Sequence, residues 1–290
     1  MNLREPYSLN QLRDYSSLFS RSSVLEWMKG DFSSIYYKIE RYDKRWFSNK
    51  KKCYLDYLKH VYGILEGHYQ NEYILKNSFL NEWLITELGE SDSKLFSEFR
   101  VGNAVADLTM FNGLSKVFEI KTELDSDKRL NTQLAYYRRV FNQIYLIIPI
   151  SKIKLYDSYD SNIGIITFDN EGKQKFELYR KATTQSEVDS KTIMGILHTE
   201  EYKAIVQDCY GYLPKMTSFD QYNICKQLIE KIPRDELNNY FIQQMKKRGS
   251  LNSMSNRYYK EFNQLSLALK MNKQNRQLLI DRLKTPLNIE

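Results

Sequence analysis

A chain of 290 residues, 42% hydrophobic and 27% charged, has room for one large core or two modest ones, and its composition excludes a disordered polypeptide. Its 43 Lys and Arg against 36 Asp and Glu give a net charge of +7, and its three cysteines and three histidines fall in no CxxC or HExxH spacing, which excludes a disulfide framework and a His-rich zinc site. With no GxGxxG or GxxxxGK[ST] stretch, an N-terminus charged throughout (MNLREPYSLNQLRDYSS) and no apolar run near the roughly 18 residues of a membrane span, the expectation is a cytoplasmic protein with no membrane partner.

Residues 1–68 read as a helical region. SLNQLRDYSSLFS, SVLEWMKG, IYYKIERYDKRWF and YLDYLKHVYGILEGH each place apolar residues at spacings of three and four. Here Lys44, Arg45, Lys50, Lys51 and Lys52 interleave with Trp46, Phe47, Tyr54 and Tyr57, a mixture suited to phosphate contact and base stacking. A solvated face over a helical core gives the same pattern.

Residues 69–185 switch period. NEYILKNSFLNEWLITELG reads as a helix, and FSEFRV, AVADLTMF and KVFEIK as three strands. A helix over DKRLNTQLAYYRRVF comes next, then QIYLIIP, an unbroken apolar run expected of a strand buried on both faces, and IGIITF. The order α-β-β-β-α-β predicts an α/β (α+β) core, a mixed sheet flanked by helices. Residues 186–290 return to helical patterns punctuated by Pro214, Pro233 and Gly249, a scaffold or a surface for a protein partner or a second copy. Counted by part, residues 1–68 carry 12 basic and 8 acidic side chains, 69–170 carry 11 and 14, and 171–290 carry 20 and 14. An acidic middle inside a basic frame is what a metal-dependent enzyme acting on a polyanion needs.

The most specific signal is Asp107 with Glu119 and Lys121. Two residues apart on a strand, Glu119 and Lys121 leave the same face. Asp107 joins them if the second and third strands pair with residue numbers summing to 226, which opposes Phe111 to Ser115 and leaves a three-residue loop where Gly113 takes a positive φ. A two-residue turn at Asn112-Gly113 would put the carboxylates on opposite faces.

In this order, Asp107 followed by Glu119-Ile120-Lys121 resembles the PD-(D/E)XK nuclease superfamily, and Gln133-Leu134-Ala135-Tyr136-Tyr137 is similar to the QxxxY motif of its RecB-like branch. SEFRVGNAVADLTMFNG with VFEIKTELDSDKRLNTQLAYY also resembles uncharacterised bacterial nuclease-like proteins. Ala106 stands where the superfamily often has proline. The resemblance implies a restriction-endonuclease-like core and hydrolysis of phosphodiester bonds, in DNA rather than RNA, in defence against foreign DNA or in repair. It implies Mg²⁺, with Mn²⁺ as a substitute, held by Asp107, Glu119 and the Ile120 carbonyl. Lys121 would position water or stabilise the transition state, and Gln133 and Tyr137, one turn apart, would orient it, contact phosphate, or simply pack. For a further acidic ligand Glu72 ranks first, Glu98 second and Glu82 third, on the assumption of 100° per residue along the first helix. Asp125 and Asp127 are expected to cap the following helix, with Arg129 as a phosphate contact and Lys50, Lys51 and Lys52 as nucleic-acid contacts. The alternative is an inactive nuclease-fold module that binds nucleic acid or a protein.

Overall fold

The protein is described by a computed structural model covering residues 6–48, 51–87, 93–123, 125, 127–169, 174–248 and 257–287. It divides into two compact units, one built from residues 1–85 and 252–290 and the other from 86–251. This division differs from the expected 1–68, 69–185 and 186–290. Apolar contact decides it: the helices of the last third split between two cores.

In the first unit, α1 (Leu9–Ser16), α2 (Arg21–Lys29), α3 (Ser33–Tyr42), α4 (Tyr54–His68) and α5 (Glu72–Phe79) follow one another. Ser8, Ser20 and Asn71 accept N-terminal backbone N–H bonds of α1, α2 and α5, and Asp56 returns a bond to the Cys53 N–H before α4. After α5 comes a π-helical turn, Leu80–Leu84, then α6 (Ile85–Glu87). The unit's core holds Tyr15, Trp27, Tyr57 and Leu58, and is completed by Phe262, Leu265, Leu279 and Leu283, supplied when the chain returns.

The second unit carries one six-stranded mixed sheet in sequential order. Its strands are β1 (Lys94–Val101), β2 (Ala104–Phe111), β3 (Ser115–Ile120), β4 (Gln143–Pro149), β5 (Gly164–Phe168) and β6 (Phe176–Arg180). β3, β4 and β5 run parallel and the other pairings are antiparallel. Every residue of β4 and β5 is buried, as a continuous apolar run requires. The helices of this unit are α7 (Leu130–Tyr137), α8 (Ile153–Asp157), α9 (Ser190–Met194), α10 (Thr199–Tyr210), α11 (Gln221–Ile229) and α12 (Arg234–Lys247). One core joins Phe99, Phe111, Leu134, Leu146, Ile193, Ile205 and Phe241, so α9 to α12 belong with the sheet. Among the described residues no helix is long and apolar enough to cross a membrane.

The chain then re-enters the first unit through a 3₁₀ stretch, Arg257–Phe262, α13 (Asn263–Ala268) and α14 (Lys273–Leu283). Asn77, fully buried on α5, holds this return. Its amide donates to the Tyr62 hydroxyl (2.8 Å) and the Lys260 carbonyl (2.9 Å), and its oxygen accepts the Gln264 N–H (2.9 Å). Asn77→Ala would remove the acceptor of the Gln264 N–H, while the Asn81 amide still donates to the Lys260 carbonyl (3.1 Å), at a cost of about 1–3 kcal/mol. Urea denaturation should show that loss, and a loss below about 1 kcal/mol would mean that other bonds hold the return.

In the second unit Arg248 forks onto Glu201, with Nε and Nη2 each 2.5 Å from a carboxylate oxygen. Burial alone would raise the Glu201 pKa, but Arg248 and the His198 N–H outweigh it and hold it below its usual value. A carboxyl depressed by folding stabilises above its unfolded pKa, and that contribution disappears as pH falls through the folded one. Glu201→Gln should therefore cost about 1–3 kcal/mol at pH 7 and progressively less in acid. A stability difference that stays flat from pH 7 to pH 3 would contradict this.

Candidate functional site

β2 and β3 pair as Leu108↔Phe118 through Phe111↔Ser115, the summed register of 226, and Gly113 in the loop between them has φ +96°. The Asn112 N–H closes that loop on the Leu114 carbonyl (3.1 Å). The ladder stops beyond Leu108↔Phe118. Where the next pair would be Asp107 and Glu119, Oδ2 of Asp107 instead accepts the Ile120 N–H at 2.8 Å. A side chain thus takes over a bond that the neighbouring strand gives up, and both carboxylates stand at the point where the strands part.

Glu119 is 3% exposed and Lys121 7%. Oε1 of Glu119 accepts from the Lys121 ammonium (3.0 Å) and the Gln133 amide (2.7 Å), and Oε2 from the Tyr137 hydroxyl (2.8 Å). The Gln133 oxygen lies 3.3 Å from Lys121 Nζ, so Gln133 bridges acid and base. Tyr137 is also 3.1 Å from the Val105 carbonyl on β2. Glu119, Lys121, Gln133 and Tyr137 therefore form one bonded network, which Asp107 adjoins through the Ile120 N–H. Burial pushes the Glu119 carboxyl up and the charge of Asp107 adds to this, while Lys121 and Tyr137 work against them. Burial and Glu119 likewise raise the Tyr137 phenol, which keeps it a donor.

These residues fit a divalent cation in their donor chemistry. Two carboxylates repel each other in a poorly solvated place, which a bound cation relieves, and the Ile120 carbonyl belongs to the same strand end. Among the described residues no three His, Cys, Asp or Glu side chains group as a ready-made cage.

Apart from Glu98, the remaining expected residues are dispersed. Glu98 is exposed on β1 with φ +54°, and the register on either side, Ser97↔Leu108 and Phe99↔Ala106, sets it opposite Asp107. The left-handed residue reverses the strand's alternation, so the Phe96 and Phe99 rings, three apart, both meet Phe111 (5.7 and 5.9 Å). Glu72 is the first residue of α5 in the other unit and is paired with Lys76 at 2.5 Å. Glu82 is exposed on the π-turn, and that turn breaks the 100° arithmetic used to rank it. Asp125 and Asp127 do not cap α7: Asp125 accepts the Thr122 N–H and hydroxyl, and Asp127 receives the Tyr156 hydroxyl. Arg129 is exposed at the α7 N-cap position. Lys51 is exposed, Lys52 is half-buried over the Trp46 ring (5.6 Å), and Lys50 lies outside the described residues.

Tyr136, which sequence reasoning passed over, also shapes the site. A Cβ at Gly102 in the β1–β2 turn would come within 2.5 Å of its ring, so glycine lets the hairpin tip close onto α7. The signal available was a Gly-Asn pair between two strands.

The two carboxylates predict a stability effect that is independent of activity. Asp107→Asn keeps an acceptor for the Ile120 N–H and removes the like charge, so in EDTA its melting temperature should equal or exceed the parent's. Asp107→Leu loses the acceptor and should cost about 1–3 kcal/mol. If both variants are destabilised alike, Asp107 is not opposed by Glu119.

The family described as Bacteriophage P4 protein cII matches residues 66–279. Protein cII of Enterobacteria phage P4 is 29% identical over 136 residues, 46% of this chain. The match spans 51% of that relative's length, about half. A solved protein of unknown function from Silicibacter pomeroyi aligns at 14% identity with a TM-score of 0.31, over 46% of this chain and 89% of its own.

Proposed function

This chain belongs to the bacteriophage P4 protein cII family, and we propose that it is a metal-dependent nuclease of restriction-endonuclease-like fold that hydrolyses phosphodiester bonds, in DNA rather than RNA. The observation that carries this reading is the convergence of Asp107, Glu119 and Lys121 where β2 parts from β3, with Gln133 bridging Glu119 and Lys121. The resemblance of Asp107…Glu119-Ile120-Lys121 and of Gln133…Tyr137 to the PD-(D/E)XK pattern supports it.

Asp107, Glu119 and the Ile120 carbonyl would hold Mg²⁺ or Mn²⁺. When bound, the ion would supply Lewis acidity toward a phosphoryl oxygen and acidify a water. The protein's own groups do the positioning. Gln133 fixes Glu119 and Lys121 relative to each other, Tyr137 donates to the far oxygen of Glu119 and orients the carboxylate, and Lys121 brings a positive charge to where negative charge develops on the phosphate. Action on foreign DNA inside a bacterial cell is the setting this chemistry suits.

With Mg²⁺ or Mn²⁺ the purified protein should cut plasmid or single-stranded DNA, and Asp107→Ala and Lys121→Ala should each reduce cleavage by about 100-fold or more. Cleavage that survives both substitutions refutes the assignment. One observation favours a second reading, a non-catalytic module binding nucleic acid or a protein: both Glu119 oxygens already receive protein donors, so the network is satisfied without an ion. Calorimetry separates the two. Mg²⁺ or Mn²⁺ binding abolished by Asp107→Ala supports the nuclease, and no detectable binding of either ion supports the module.

A further inference from the structure

Glu119 already has a cation. The Lys121 ammonium lies 3.0 Å from its Oε1, and the two side chains are only 9% and 4% exposed. A charge taken this far from water persists beside a compensating one, so each group holds the other in place.

The bonds on Glu119 decide what room an ion would find. An ionised carboxylate offers about four lone-pair sites, two on each oxygen. On Oε1 both are taken, by the Lys121 ammonium and by the Gln133 amide at 2.7 Å, and on Oε2 one is taken, by the Tyr137 hydroxyl at 2.8 Å. A divalent ion that ligates Glu119 through Oε1 must displace one of the two donors there. An ion that takes the remaining place on Oε2 shares its carboxylate with the ammonium, and the two like charges repel each other where there is little water to screen them. Either route sets the ion against Lys121.

Lys121 can yield without disturbing the fold. Its backbone N–H stays on the Ile147 carbonyl of β4 (2.9 Å), and its ammonium sits on a flexible four-carbon stem. Off Glu119, it keeps the Gln133 oxygen, now 3.3 Å away, as a partner. Tyr137 meanwhile goes on orienting the carboxylate through Oε2.

We propose that the Lys121 ammonium is the counter-ion of Glu119 in the empty site, and that a divalent cation is admitted only in exchange for it. Lys121 thereby sets how tightly the site loads, and the exchange frees its ammonium to meet a phosphate. This rests on reading the carboxylates as a metal site. A residue needed for cleavage then opposes binding of the ion, a combination of signs that a purely structural ion pair does not give.

The test is calorimetry of the full chain with Mn²⁺ alone, without nucleic acid. Lys121→Met removes the charge and the donor, and Lys121→Gln removes the charge but keeps a donor for Glu119. Each should tighten Mn²⁺ binding about 5- to 50-fold relative to the parent. Lys191→Met, the same change at an exposed position of α9, should leave the affinity within about twofold, because a distant exposed charge is screened. Circular dichroism and melting establish that each variant is folded. If Lys121→Met fails to fold, Lys121→Gln carries the same expectation.

Mn²⁺ affinity that is unchanged or weakened in the folded Lys121 variants overturns the exchange, and so does equal tightening in Lys191→Met. The nuclease reading is judged separately. If the parent binds Mn²⁺, Asp107→Ala abolishes that binding and the Lys121 variants bind no tighter, the metal site stands and the exchange alone fails. If neither the parent nor the Lys121 variants bind Mn²⁺, both fail.

Discussion

A carboxylate that is 3% exposed has given up nearly all its water, and the second unit is organised around replacing it for Glu119. The replacement comes from Lys121, one residue past the end of β3, and from Gln133 and Tyr137 one turn apart on α7. The two donors on α7 fix where it lies over β3. Placing α7 there puts Tyr136 against the β1–β2 turn, where only a glycine leaves room for the ring. Burial of one acid thus propagates into the position of a helix and the composition of a hairpin.

Asp107 makes the arrangement work in both directions. It raises the difficulty of keeping Glu119 charged, yet it caps the Ile120 N–H that would be orphaned where the strands separate. Without such a cap, parting β2 from β3 would expose an unpaired donor at the edge of a buried site. Separation of the strands, the capping bond and the close approach of the two acids are one constraint. The left-handed Glu98, opposite Asp107 on β1, lies beside the same break. Its reversal of the strand's alternation sends Phe96 and Phe99 to a common side, so the sheet keeps its aromatic core while its edge bends.

How much of this could be read in advance follows from the range of each interaction. The β2–β3 register was legible because strand parity is discrete: either the carboxylates share a face or they do not, and without a bulge a three-residue loop gives the first. β4 was legible because six apolar residues in a row, Ile144 to Pro149, have few homes. β6 was not, because Phe176–Arg180 is an edge strand whose Glu177, Leu178 and Tyr179 are exposed, so it shows neither alternation nor a continuous apolar run. The ranking of Glu72 over Glu82 assumed a regular helix, and a π-turn that no composition signal marks intervenes. Asp125 and Asp127 had the residue type and position of caps, but nearer partners, Thr122 and Tyr156, took their oxygens. The two compact units differ from the expected division for a reason of range. What returns residues 257–287 to the first unit is a set of bonds on Asn77 spanning more than 180 positions, and periodicity carries no information at that distance.

The same range argument changes what the net charge means. At physiological ionic strength exposed charges are screened within about 8 Å, so a total of +7 acts on a partner only through the few cations that lie together in space. Sequence order placed a small acidic excess between two basic ones, whereas folding balances the unit with the carboxylates and leaves all the excess on the other. A basic excess packed around Asp107 and Glu119 would stabilise both acids in place and compete with any ion for them. With that unit neutral, Glu119 keeps the Lys121 ammonium at 3.0 Å as a bonded cation.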